Sequence, residues 1–254
     1  MIKHYLNIAL LLLNSTISYF LYYSTPWFSL SMTISIVLFS LILGFGVLFL
    51  KFNYFLKSIN TIKSNQCLLT FDDGPDSVYT PQVLKILKEH NVKALFFVIG
   101  KKVESNPELL SQIKEDGHLI GNHTYSHNNF LSLLPQKTIF SEIEKGNETI
   151  EKFVGEKTTF FRPPIGYTNP NYAKIIKKLD IKTIGWSLRS YDTVFKNSNT
   201  LLARLLNGVR KNSIVLLHDN LPVTLAVLEE FVIKSKEKGI IFVELNQKLD
   251  IFHD

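Results

Sequence analysis

The chain has 254 residues, is 46% hydrophobic, and carries a formal net charge of +6 with a single cysteine. One cysteine excludes an internal disulfide and a four-thiolate structural zinc site. The basic balance gives no nucleic-acid footprint, since Lys3, Lys51, Lys57 and Lys63 supply +4 of it before position 64, and the other 24 basic residues are mixed with all 22 acidic ones rather than clustered.

From Lys3 to Lys51 there is no charged side chain, and two apolar runs, 5–23 and 28–50, fill the interval. At 1.5 Å rise per residue the second run reaches roughly 34 Å as a helix, against a hydrocarbon core of ~30 Å. The first run is interrupted by Asn7, Asn14, Ser15, Thr16 and Ser18, and it spans if these groups face the second helix. The four residues Ser24–Trp27 allow only a tight hairpin, with Trp27 suited to the interface. A cleaved signal peptide fits less well, because no small-x-small site follows the first run and a second apolar run comes at once. Residues 1–50 are therefore expected to form two transmembrane helices. Lysines on both flanks and none in the hairpin put both chain ends, and the domain that follows the hairpin, on the cytoplasmic side of a bacterial-type cell membrane.

Residues 51–65 read as a juxtamembrane linker, and 66–254 as one domain with a full core. In that domain strand-like runs at 67–71, 94–99, 118–120, 159–161, 182–184, 213–217 and 240–243 alternate with helical patterns at 81–90, 107–115, 137–153, 170–179, 200–209 and 221–236. Thr80-Pro81 and Asn106-Pro107 read as helix starts, an N-cap followed by proline. The alternation indicates βαβ units and a mainly parallel sheet. Seven strands favour a barrel, complete or not, over a small open sheet. Cys67 is expected to pack as a small apolar residue on the first strand.

Polar islands sit at the ends of these runs, where α/β folds place chemistry. Asp72 and Asp73 end the first strand before Gly74-Pro75. Alone they are a common solvated turn; at a strand end the two carboxylates point differently, so one can bind a metal while the other meets a water. His123 and His127, four apart, would share a face on a helical turn and could share a cation. Asp plus two His leaves positions open for water and substrate, as in a catalytic site. Arg162, before two prolines and Gly166, would hold a carboxylate by a bidentate pair. His218, at the end of the apolar run 214–217, suits a general acid.

With these residues in this order, the chain resembles the polysaccharide deacetylases of carbohydrate esterase family 4. The likeness runs from Leu68 to Leu245 through Thr70-Phe71-Asp72-Asp73-Gly74-Pro75, His123-Thr124-x-x-His127, Arg162-Pro163-Pro164-x-Gly166 and Leu216-x-His218. The resemblance implies an α/β fold, a distorted (β/α) barrel of about seven strands, here preceded by the transmembrane hairpin. It implies a divalent metal, zinc first, on Asp73, His123 and His127. It implies Asp72 as the base that activates water, Arg162 as its orienting partner, and His218 as the acid that protonates the leaving amine. Asp192 matches the aspartate that pairs with this histidine, and Leu216 the residue lining the acetyl-methyl pocket.

Two side chains depart from the pattern. Ile165 stands where tyrosine is common, a position whose backbone N–H helps hold the oxyanion. Thr193 replaces a tryptophan, and Trp186 either compensates in the acetate pocket or packs in the core. The implied function is removal of N-acetyl groups from amino sugars of a glycan or a lipid-linked sugar at a membrane, with no nucleic acid involved and no protein partner indicated. The rivals are an O-acetyl esterase on a polysaccharide and a non-catalytic glycan-binding protein.

Overall fold

The computed structural model describes residues 1–243; residues 244–254, including Leu245, where the resemblance ends, lie outside the described residues. Two long helices come first, α1 (Ile2–Tyr22) and α2 (Trp27–Leu48), both long and apolar enough to cross a membrane. Polar side chains meet across the pair, Asn14 donating to the Ser35 hydroxyl and Ser31 donating to Ser18 at 2.7 Å, while Asn7 donates to the Tyr54 hydroxyl, beyond α2, at 2.9 Å. Ser15 and Thr16 instead return to their own helix, at the carbonyls of Leu11 and Leu12. The apolar side chains, among them Leu10, Leu13, Phe20, Ile34, Leu38 and Phe45, point outward and exposed.

Residues 51–65 are not a free linker. A 3-10 turn (Leu50–Phe52) leads into Tyr54, Phe55, Leu56 and Ile62, all buried, and into β1 (Ser58–Ile59). The aromatic and branched residues scattered there among Asn, Ser and Lys are the part of the segment that the core takes in. The Tyr54 ring lies where a Cβ on Gly46 of α2 would stand, so that glycine sets how closely segment and helix approach.

The α/β domain continues through β2 (Gln66–Gly74), α3 (Thr80–Glu89), β3 (Ala94–Val98), α4 (Gly100–Ser105), α5 (Pro107–Glu115), β4 (Leu119–Asn122), α6 (Gln136–Val154), β5 (Phe160–Phe161), α7 (Pro170–Leu179), β6 (Lys182–Ile184), β7 (Leu188–Arg189), α8 (Ser198–Gly208), β8 (Ile214–His218), α9 (Pro222–Glu237) and β9 (Ile241–Phe242). The strands form a curled parallel sheet in the order β1-β6-β5-β4-β3-β2-β8-β7, with β9 beside the start of β2. This is the expected incomplete barrel, but with nine strands among the described residues in place of seven. The additions, β1 and β7, are two residues long and lie at the two edges.

Alternation along the strands sorts the core into an outer and an inner layer. Leu69 and Phe71 of β2 join Phe96, Val215, Leu217 and Phe231 beneath the helices. Leu68 joins Leu95, Phe97, Ile184 and Ile214 inside the curl. Thr70 and Asp72 follow Leu68 on that inner face, which carries the chain from an apolar floor to a polar mouth. Cys67 is fully buried on β2, and burial pushes its thiol up to about 12, in keeping with a packing role.

One helix start differs from expectation. Thr80 is the first residue of α3 and does not cap it; its hydroxyl donates to the buried Asp219 at 2.6 Å, while Asp76 accepts from the Val78 and Tyr79 N–H groups. Asn106 does hold the N-cap position of α5, but its side chain donates backward to the Lys102 carbonyl.

Candidate active site

Asp72 and Asp73 leave β2 through an irregularity. The pairing with β3 shifts between Asp72 and Gly74, and Asp73 adopts φ 72°. A bulge re-aims the side chain of the extra residue, so both carboxylates serve one mouth despite being neighbours. Asp72 Oδ2 lies 3.7 Å and Asp73 Oδ1 3.6 Å from Nε2 of His123.

His127 completes this group, with Nε2 3.2 Å from Asp73 Oδ1. The two histidines are not on a helix. They flank a loop in which Thr124 (φ 69°) and His127 (φ 53°) take left-handed conformations, and their ring centroids are 4.8 Å apart. Side-chain acceptors impose that loop: the buried Asn122 accepts from the Thr124 N–H at 2.7 Å, and the half-buried Glu142 of α6 accepts from the N–H and hydroxyl of Ser126, both at 2.8 Å.

The ligand atoms of Asp73, His123 and His127 all lie within 4.8 Å of one another. The donor set suits a divalent metal on three counts. Asp73 Oδ1 is buried with no hydrogen-bond partner. His123 Nδ1 meets the Arg162 carbonyl at 2.7 Å, so the N–H belongs there and the Nε2 lone pair faces the other two ligands. Burial lowers the His123 imidazole to about 3, which keeps it neutral and able to ligate. Two nitrogens and one oxygen are donors that zinc accepts.

Arg162 is 1% exposed, and its donors are spent on fixed acceptors. Nε donates to the Ile184 carbonyl at 3.0 Å, one terminal nitrogen to the Gly185 carbonyl at 2.8 Å, and the other to Thr70 at 2.8 Å and Asp72 Oδ1 at 2.6 Å. The pairing with Asp72 is single-pronged, not the bidentate clamp expected. Burial raises the Asp72 carboxyl above its ordinary value, while Arg162 and His218 pull against the rise. The net effect is a carboxyl group with enhanced affinity for a proton, as a general base needs.

Across the mouth, His218 ends β8 in register with Asp72. Its Nδ1 donates to Asp192 Oδ1 at 2.7 Å, and Asp192 Oδ2 accepts from the His218 N–H at 2.8 Å and the Thr224 hydroxyl at 2.7 Å. Burial alone would lower the imidazole, but Asp192, then Asp72 and Asp73, raise it to about 9. Burial likewise pushes the Asp192 carboxyl up, and the bonds from His218, Thr224 and Ser190 bring it below its ordinary value. The pair is thus held as imidazolium and carboxylate, with Nε2 free to give a proton.

Leu216 is buried on the inner face beside Thr70. Ile165 sits at φ 62° in the 3-10 turn Pro164–Gly166, and neither backbone bond closing that turn, Gly166 to Pro163 or Tyr167 to Pro164, uses its N–H. The Trp186 indole occupies the place a Cβ on Gly166 would need and lies 5.6 Å from the Arg162 guanidinium carbon. It therefore packs under the turn as a partly buried core residue and borders the mouth as well. Thr193 is exposed on the turn after Asp192.

Supporting residues escaped the sequence reading although three of them stand at motif edges: Thr70, Asn122 and Asp219. Asp219 is buried against Gly74, and burial raises its carboxyl to about 7. A fourth, Lys102 on α4, donates to the Asp73 carbonyl at 2.7 Å and carried no signal, since its short helix has no clear period.

The polysaccharide deacetylase family matches residues 60–184. A peptidoglycan-N-acetylglucosamine deacetylase of Bacillus cereus is 35% identical over 190 residues, covering 73% of this chain and 88% of that protein. The peptidoglycan-N-acetylglucosamine deacetylase PgdA of Listeria monocytogenes is 36% identical over 179 residues, 70% of this chain. The chain spans only 38% of PgdA, and 66% of a second Bacillus cereus peptidoglycan-N-acetylglucosamine deacetylase. Among solved structures, the Bc1960 peptidoglycan N-acetylglucosamine deacetylase superposes with TM-score 0.68 at 32% identity, covering 72% of this chain and 87% of that one. A mutant of BA3943, a CE4 family pseudoenzyme with restored enzymatic activity, gives TM-score 0.68 at 31% identity over 73% of this chain and 68% of that one. This chain belongs to the polysaccharide deacetylase family.

Proposed function

We propose that the chain is a membrane-anchored, metal-dependent N-deacetylase acting on acetylated amino sugars of a glycan or a lipid-linked sugar. The observation that carries this reading is the pairing on both sides of the metal group. Asp72 is held by Arg162, and His218 by Asp192, at 2.6 and 2.7 Å. A glycan-binding relative without catalysis needs neither a poised base nor a poised acid.

Asp73, His123 and His127 would hold zinc, which when bound supplies a Lewis acid that polarises the acetyl carbonyl and acidifies water. Asp72 takes the proton of the attacking water, and Arg162 keeps that carboxylate aimed and ionised once its proton has moved on. The Ile165 N–H is available to the oxyanion, and Leu216 packs the acetyl methyl. His218 then gives its Nε2 proton to the leaving nitrogen. Amines are expelled from tetrahedral intermediates only after protonation, whereas alcohols leave with less help. An imidazolium maintained to about 9 therefore favours the amide over the O-acetyl ester. The relatives named for peptidoglycan N-acetylglucosamine support an amino-sugar substrate.

The anchor in this reading is the α1–α2 pair, with both chain ends on the lysine-rich cytoplasmic side. The deciding experiment is acetate release by the full-length, zinc-loaded protein in nanodiscs. The substrate panel is acetylated amino-sugar oligomers, lipid-linked N-acetyl sugars and O-acetyl xylan. Release from the amino sugars, lost on chelation and restored by zinc, is expected. Release from xylan alone would move the assignment to the esterase, and none from any substrate would leave a binding protein. A periplasm-dependent reporter fused after the last residue tests the side, with low activity expected.

A further inference from the structure

Arg189 has no role in the chemistry above. Leu188, its neighbour on β7, points to the outer layer beneath α8, so Arg189 points inward. Its register confirms this, since Arg189 pairs with Leu216, and Leu216 with Thr70, whose hydroxyl meets Arg162. The half-buried guanidinium is bounded by two rings: its carbon lies 5.7 Å from the Trp186 centroid and 5.1 Å from Tyr191. The same indole lies 5.6 Å from Arg162, so Trp186 borders both inner arginines.

The two inner arginines differ in how they are satisfied. Every donor nitrogen of Arg162 has a fixed acceptor. The Arg189 side chain has neither a carboxylate nor a hydrogen-bond acceptor among the described residues, and the nearby carboxylates Asp72 and Asp192 are held by Arg162 and His218. A guanidinium offers five N–H donors in a planar fork that matches a carboxylate or a phosphate. Withdrawing it halfway from water with that fork unmatched is costly unless a ligand completes it.

We infer that Arg189 is a subsite for an oxyanion, carboxylate or phosphate, that the amino-sugar substrate carries near its acetamido group. This rests on the deacetylase reading, because it places the anion in the same pocket. Arg204 also lies against the Tyr191 ring, at 4.5 Å, and donates to the Arg189 carbonyl, so the strand that aims Arg189 is braced from α8.

The test is an NMR titration of the full-length, zinc-loaded protein, which reads millimolar Kd values. Three ligands are compared: neutral N-acetylglucosamine, N-acetylmuramic acid for the carboxylate, and N-acetylglucosamine 1-phosphate for the phosphate. In the wild-type protein one anion should bind roughly ten- to a hundredfold tighter than the neutral sugar, the range a charge-assisted hydrogen bond supports, and the gap should narrow with salt. Arg189→Gln should close most of that gap, while Arg189→Lys, which keeps the charge without the fork, should keep part of it. The preferred anion tells the two sources apart. Equal affinity for neutral and anionic sugars, no binding of either anion, or equal weakening of all three by Arg189→Gln would overturn the inference; the last would make Arg189 a packing residue for the two rings. Acetate release measured in parallel separates the two readings. An anion preference without turnover refutes the deacetylase and keeps the subsite, and turnover without preference does the reverse.

Discussion

Replacing Asp192 by Asn tests the acid half of the site without removing volume. The side-chain oxygen can still accept from the His218 N–H and Thr224, which Oδ2 does now. Its amide then faces His218 Nδ1 and donates where the carboxylate accepted. The imidazole loses the partner that holds it at about 9 in place of 6.5, a preference for the cation of about 3 kcal/mol at 1.36 kcal/mol per pKa unit. If the imidazole returns to its ordinary value, the cation at pH 8 falls from roughly nine-tenths to one-thirtieth, about a thirtyfold loss of acid, with little change at pH 6. Acetate-release rates from pH 5.5 to 10 at saturating zinc should therefore show the alkaline limb moving down in the variant. Stability should follow the opposite window. The raised His218 pKa contributes fully below 6.5 and fades as pH rises through about 9, and the lowered Asp192 pKa contributes above 3.8 and is lost as pH falls through its folded value. Melting of wild type and variant should thus differ most between these limits, near pH 4 to 6.5, and converge toward 9. An unmoved alkaline limb in Asp192→Asn would refute the argument.

The other expectations concern the metal group and its frame. Asp73→Ala and His127→Ala should lose both bound zinc and turnover, whereas Asp72→Asn should keep stoichiometric zinc by atomic emission and lose single-turnover acetate release; a near-normal rate there would discard Asp72 as base. Arg162→Lys, which replaces a buried fork on four acceptors by a point charge, should destabilise by about 3 kcal/mol or more in chemical denaturation, and a shift under 1 kcal/mol would mean the network repacks. Gly166→Ala puts a Cβ into the Trp186 ring at φ 85°, so acetate release should fall through displacement of the Ile165 turn while zinc content holds. Loss of zinc instead would show that this turn also shapes the metal group.

Much of the site could be read from the sequence because its chemistry is concentrated at strand ends, in short polar runs next to apolar ones. Asp72 and His218, far apart in the chain, fall in register because β2 and β8 are neighbours. What stayed hidden was geometry that side-chain identity does not encode. The His123–His127 spacing suggests a helical turn, yet the rings meet through left-handed residues held by Asn122 and Glu142. Asp73, Ile165 and Tyr191 also have positive φ, and strain of this kind gathers at functional sites when the surroundings over-determine it. β1 and β7 are too short to have a period, and Thr80 has the composition of a cap but spends its hydroxyl on a carboxylate brought from the far end of the chain.

Thr168 stands two residues beyond Gly166, and its N–H and hydroxyl donate to the carbonyls of Val47 and Gly46 at 3.1 and 3.3 Å. Those carbonyls belong to the last turn of α2, where a helix has no N–H donors of its own to offer them. Leu43 and Val47 pack against the same apolar cluster as Leu131 and Tyr172, and the terminal ammonium donates to the Phe55 carbonyl at 2.9 Å. The hairpin is thus a splint for the turn at Ile165 as well as an apolar tail. Trimming the chain to a soluble fragment at residue 51 or 65 would strip the acceptors from Thr168 and uncover the cluster beside it. The fragment's active site would then differ from that of the whole protein, although none of the catalytic side chains had been touched.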